Sequence, residues 1–136
     1  MTGEYLWIDI TNATWTIGDV VYSTSTWTND TGITFIADID NCSVNTDLSL
    51  QITNDGAVRN SITTGGVPAS DVYRLNSTID TWGNENETLA TGDTVISSDI
   101  TKGETETFDL RFDAPTASST GLQQTITTTA TIVKHS

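Results

Sequence analysis

Apolar and polar residues alternate along much of this chain, and the alternation is clearest in its last third. Phe108, Leu110 and Phe112 alternate with Asp109, Arg111 and Asp113, which predicts a half-buried β-strand with one greasy and one wet face. Thr94–Ile100 and the Thr-rich run Gln123–Val133 read as strands on either side of it. Near the start, Leu6, Ile8 and Ile10 share one face of a strand and Tyr5, Trp7 and Asp9 the other; Asn12–Ile17 continues it after a bend. Further strands are predicted over Val20–Thr28, Ile33–Asp40, Leu48–Thr53, Val58–Thr64 and Val72–Leu75. Gly18-Asp19, Asn29–Gly32, Asn54-Asp55-Gly56 and Gly65–Pro68 are turn signals between them. Asp80–Gly92, which carries Trp82, reads as an irregular loop or a broken strand. No segment holds an i, i+3, i+4, i+7 apolar stripe for three turns, so helices are not expected. The spacing predicts an all-β, Ig-like or jelly-roll sandwich of about eight or nine strands. Such a fold poses the question of what covers its sheet edges.

Composition narrows the class. At 136 residues the chain suits one domain with one core. About one residue in five is threonine, a β-branched residue whose hydroxyl tolerates a wet face. The formal net charge is −13, although only 17% of residues are charged. That field repels phosphate backbones and anionic lipid, so neither nucleic acid nor a membrane surface is an expected partner. No apolar run is long enough to span a bilayer. Met1-Thr2-Gly3-Glu4 lacks the basic start and apolar run of a secretory signal, so an exported chain is expected to be in its mature form. The composition points to an extracellular or cell-surface protein.

Candidate chemistry is sparse. The single cysteine, Cys42, allows no intrachain disulfide and is expected to be a small buried apolar residue. The single histidine, His135, reads as tail, so no Ser-His or Cys-His pairing is expected in the body of the fold. The carboxylate pairs Asp38/Asp40 and Glu104/Glu106 are expected to be solvated strand faces; no catalytic residue is assigned and no cofactor is expected. Asp38, Asp40, Asn41 and Asp47 offer oxygen ligands suited to a weak Ca²⁺ site, without calcium-loop spacing, and no metal site is assigned. Asn-X-Ser/Thr sequons stand at Asn12, Asn29, Asn41, Asn76 and Asn86, all in or near predicted turns or strand ends. Trp7, Trp15, Trp27 and Trp82 are expected to anchor the core; the alternative is a sugar-stacking platform.

One resemblance adds to this reading. The order Leu48–Gly56, then D-V-Y-R-L, a Trp-bearing loop, T-G-D, K-G-E with T-F-D-L-R-F-D-A-P, and a closing Q-T-I-T-T-T-A-T-I resembles small secreted β-sandwich proteins of bacterial and archaeal surface fibres. These include the camelysin/TasA-like matrix proteins and archaeal bundling pili, and the similarity runs over roughly residues 33–133. The resemblance implies a structural subunit of a pilus or biofilm-matrix fibre, polymerised by donor-strand complementation with identical subunits and carrying glycans. It implies residues 1–11 as the donor strand, with Leu6, Trp7, Ile8 and Ile10 filling a neighbour's groove, and 12–136 as the sandwich. The C-terminal strand Gln123–Val133 is the alternative donor. A carbohydrate-binding or adhesin module is the competing expectation.

Overall fold

The computed structural model describes residues 6–11, 14–15, 21–28, 35–39, 42–54, 61–62, 68–70, 72–79, 87–117 and 127–136. Among them the regular structure is all β. The strands are β1 (Asp9–Thr11), β2 (Ser25–Trp27), β3 (Phe35–Asp38), β4 (Thr46–Asn54), β5 (Ser61–Ile62), β6 (Val72–Thr78), β7 (Glu87–Thr88), β8 (Thr94–Ile100), β9 (Glu106–Asp113) and β10 (Thr127–Lys134). They form two sheets over one core, the arrangement of a β-sandwich. The strands predicted over Leu48–Thr53 and Val72–Leu75 are present and longer than their apolar runs, and the three of the closing third are present as β8, β9 and β10. The N-terminal strand is shorter than expected: Leu6–Ile8 lies outside it. Glu87–Thr88 is a short strand inside the stretch read as a loop or a broken strand, and Trp82 lies outside the described residues.

Sheet I has seven strands centred on β9. One edge of β9 takes β3 along Glu106–Phe108 and β2 along Arg111–Asp113, end to end. The other edge takes β6 along Asp109–Asp113. β6 in turn carries β5, parallel to it, and β7, antiparallel, while β1 closes the far side on β3. Sheet II is β10-β4-β8, antiparallel throughout. The segment after β7 joins the sheets: Leu89 N–H donates to the Leu75 carbonyl in sheet I, and the Ala90 carbonyl accepts from Ile52 N–H in sheet II.

The alternation predicts the core well. Phe35, Ala37, Tyr73, Leu75, Phe108 and Leu110 from sheet I meet Leu48, Leu50, Ile52, Ile96 and Ile100 from sheet II. Phe35 and Phe108 are register partners whose rings stack at 5.3 Å. Tyr73 is the largest fully buried side chain. The tryptophans meet the expectation only in part. Trp7 is 43% exposed and Trp27 half-buried, whereas Trp15, also half-buried, packs against the core. None of the three is fully buried, because Phe, Tyr and Leu already fill the space between the layers.

The turn between β8 and β9 follows directly from its residues. Glu104 N–H donates to the Thr101 carbonyl at 3.1 Å, and Gly103 has φ +86°. That is the positive φ a type II turn demands at its third residue, which glycine adopts without a Cβ penalty.

Candidate functional site

Three features carry the polar and exposed chemistry of the chain: the N-terminal edge, the β10 edge with its C-terminal end, and a buried polar cluster on β9.

At the N-terminus, Ile10 sits on β1 opposite Ala37, and Ile8 and Ile10 pack half-buried against the core. Leu6, at 42% exposure, and Trp7 stand out in solvent. Cys42 holds the segment from beneath: its thiol accepts from Trp7 N–H at 3.3 Å and donates to the Trp7 carbonyl at 3.2 Å. Cys42 is buried and free, the small core residue its sequence context suggested. Of the four residues assigned to a donor strand, only Ile10 lies in a strand here, on the edge of its own sheet. This strand is three residues long, and among the described residues it pairs β3 alone and is held besides by Ile8, Ile10 and the Cys42 contacts.

β10 is an eight-residue edge strand. It pairs β4 from Asn54 to Thr46 and no other strand among the described residues. Thr127, Thr129, Thr131 and Val133 are exposed, whereas Thr128, Ala130 and Ile132 face the core but stay only half-buried. A strand whose inward side chains are still partly wet lies at an open flank of the sandwich. Thr53 and Thr129 hydroxyls bond across the pair at 3.0 Å.

His135 is not a loose tail. Its N–H donates to the Asn45 carbonyl at 2.9 Å, and its Nδ1 lies 2.7 Å from Asp47 Oδ1. The Asp47 hydrogen bond raises the imidazole above its ordinary value, with the Asp47 and Asp99 charges adding to it against partial desolvation. Asp47 is lowered, first by the hydrogen bond from Asp99 N–H and then by His135. The expectation of a tail failed because nothing local to Lys134-His135-Ser136 signals a partner 88 positions away.

The cluster on β9 corrects the predicted wet face. Asp113 is 4% exposed. Its Oδ1 accepts from Ser25 Oγ at 2.6 Å and Arg111 Nε at 2.9 Å. Its Oδ2 accepts from Arg74 Nε at 2.8 Å, Asn76 Nδ2 at 2.9 Å and Arg111 Nη2 at 3.2 Å. Burial by itself pushes this carboxyl up. The bonds from Ser25, Arg74 and Arg111, with the Arg111 charge, outweigh it and hold Asp113 below the usual carboxylate range. The Arg111 guanidinium lies over the Trp27 ring at 6.0 Å. β2, β6 and β9 converge here because Ser25 and Arg74 are both register partners of Asp113. A shallow cleft of about 220 Å³ opens beside the cluster, lined by Thr24, Pro68, Arg74 and Thr116 among others.

Asn76 belongs to this cluster, not to the surface. It is 2% exposed, donates Nδ2 to Asp113 and accepts from Thr88 Oγ1 at 2.8 Å. A folded chain therefore does not offer Asn76 to a glycan, since the nitrogen that would carry the sugar is the one bonded to Asp113. Asn12, Asn29, Asn41 and Asn86 lie outside the described residues, as do Asp40 and Tyr5. Asp38 stands on β3 opposite Asp9, and Asp47 is engaged with His135, Ser98 and Asp99. Among the described residues no group of three or more His, Cys, Asp or Glu is placed to hold a metal ion, and no helix is long and apolar enough to cross a membrane. Glu106 accepts from Ser97 Oγ at 2.6 Å, which ties the two sheets rather than forming a carboxylate pair with Glu104. No protein-family model, curated protein or solved structure matches the chain.

Proposed function

We propose that this chain is the structural subunit of an extracellular filament, a pilus or biofilm-matrix fibre, in which a strand from one copy completes the sheet of the next. The observation that supports this most is the open flank at β10: among the described residues no strand pairs its outer edge, and Thr128, Ala130 and Ile132 face the core yet stay only half-buried. A soluble domain that stays monomeric normally blunts such an edge with charge, proline or a bulge twisted away. Here Thr127–Val133 carries neither charge nor proline; the one register irregularity lies at its very start, between Thr127 and Thr128, and the only charge is Lys134 at its end. The N-terminal segment complements that flank. Leu6 and Trp7 are exposed, and the three-residue β1 exchanges few bonds if it leaves its own sheet. Such head-to-tail addition does not close on itself and grows into a fibre. N-linked glycans, where the host adds them, fall on Asn12, Asn29, Asn41 and Asn86 rather than on Asn76. The test is removal of residues 1–11 followed by electron microscopy and sedimentation. The truncated chain loses assembly, and a synthetic peptide of residues 4–11 binds it; unchanged assembly contradicts the proposal.

A second reading, a carbohydrate-binding module, draws on the exposure of Trp7 and Tyr22 and on the hydroxyl-lined cleft beside Arg74. Oligosaccharide binding that quenches tryptophan fluorescence in the monomer favours it over assembly.

A further inference from the structure

The C-terminal end of β10 meets β4 and β8 at a site built in an unusual way. Thr46 pairs Ile100 and Leu48 pairs Ser97, so Asp47 faces two residues, Ser98 and Asp99, across a β-bulge. Asp99 adopts φ +56°, a left-handed conformation uncommon for a residue with a Cβ. The bulge brings both residues onto Asp47 Oδ1, with Ser98 Oγ at 3.1 Å and Asp99 N–H at 2.9 Å. It also aims the Asp99 carboxylate toward the His135 ring, where Oδ1 lies 3.9 Å from Nε2 and accepts from Asn45 Nδ2 at 3.0 Å. The two ring nitrogens of His135 thus face two carboxylates from two different strands, at 2.7 and 3.9 Å.

From this geometry we infer that His135 is a pH-dependent latch that seats the C-terminal end of β10 on β4. β10 has no fully buried side chain, so its seat rests on the backbone ladder, the partial packing of Ala130 and Ile132, the Thr53–Thr129 bond and the His135 contacts. A segment held this way lies at the low-stability end of a fold. Protonated, His135 donates from both nitrogens toward Asp47 and Asp99. Neutral, it keeps at most one N–H, and the attraction to both carboxylates is lost. The charged groups on the elements that meet here are Asp47 on β4, Asp99 on β8, Lys134 on β10, and Lys102 and Glu104 in the turn after β8. His135 is the only histidine, so between pH 5 and 8 it is the side chain whose ordinary value falls in the window. The sign is fixed by its raised value. The latch is closed below about pH 6.5 and loosens as pH rises through the higher folded value. At the acid end it holds until Asp47, itself lowered, takes a proton.

The latch stands on its own geometry; its consequence for assembly rests on the strand-pairing reading, because a loosened β10 presents a poorer edge to the next copy. The experiment is amide hydrogen exchange of the 127–134 peptide across pH 5.5–8.5, corrected for intrinsic rates, in the full chain and in His135→Gln and Asp47→Asn. In the full chain, protection falls roughly twofold to fivefold over that range, the scale of an exposed charge pair. In His135→Gln it stays flat. A flat profile in the full chain, or an unchanged slope in His135→Gln, overturns the latch. If Asp47→Asn unfolds the sheet, the His135→Gln profile and the NMR titration of the His135 ring decide alone, and a ring that titrates at or below the ordinary value overturns it. Filament yield is followed in parallel. A chain that assembles at no pH contradicts the strand-pairing reading and leaves the exchange result to decide the latch.

Discussion

Replacing Asp113 with alanine removes the acceptor for five hydrogen bonds from four side chains at once. Two costs follow. Asn76, buried beneath the sheet face, loses the partner of its amide, which costs about 1–3 kcal/mol. Arg74 and Arg111 lose the carboxylate between them and face each other as like charges. Removing one member of a buried ion pair costs about 3–5 kcal/mol. The two arginine side chains are 25% and 19% exposed, so water screens part of this and the lower end applies. The expected destabilisation is about 4 kcal/mol, or roughly 14 °C in Tm for a chain of this size. Urea unfolding followed by circular dichroism, with linear extrapolation, measures it. The carboxyl is held below its ordinary value when folded. Its contribution is therefore present above about pH 4 and lost as pH falls through the folded value. The gap between Asp113→Ala and the parent chain narrows accordingly in acid. A loss under 1 kcal/mol at pH 7, or a gap that widens in acid, refutes the network as a source of stability.

Two further outcomes follow from single residues. Gly103→Ala places a Cβ in open space but in a backbone with φ +86°, so it costs about 1–2 kcal/mol through conformation alone, whereas Gly92→Ala is neutral; thermal unfolding of both variants checks this, and equal Tm values contradict it. Glycopeptide mapping after expression in a glycosylating host finds Asn76 empty in folded material. A glycan there in protein with the native near-UV spectrum shows that the Asp113 cluster is not built as described.

The elements that were legible in the sequence are those in which alternation and β-propensity agree. Phe108 and Leu110 on β9, Leu48, Leu50 and Ile52 on β4, and Tyr73 and Leu75 on β6 all point where the period of two places them. The polar half of the same pattern misled. Asp113 reads as solvated because a carboxylate alternating with Phe112 normally is, and its burial depends on Arg74 and Asn76, 39 and 37 positions away. Nothing local encodes that meeting; Arg74 and Arg111, two of only three arginines in an acidic chain poor in cations, were the available hint. The burial of the sequon residue Asn76 was hidden for the same reason, since the motif specifies chemistry and not exposure. His135 became a partner only because an eight-residue antiparallel ladder carries it to Asn45 and Asp47. The short β1 shows the opposite limit: Leu6, Ile8 and Ile10 have the right period, yet pairing begins only at Asp9, so apolar surface remains in water.

The most direct measurement of the central claim is cryo-electron microscopy of the native material bearing this chain. The account predicts filaments in which residues 6–11 of one copy run beside Thr127–Val133 of the next, burying Leu6, Trp7 and the inward face of β10. A monodisperse particle with Asp9–Thr11 still paired to its own Phe35–Asp38 strand and an empty flank at β10 would contradict it.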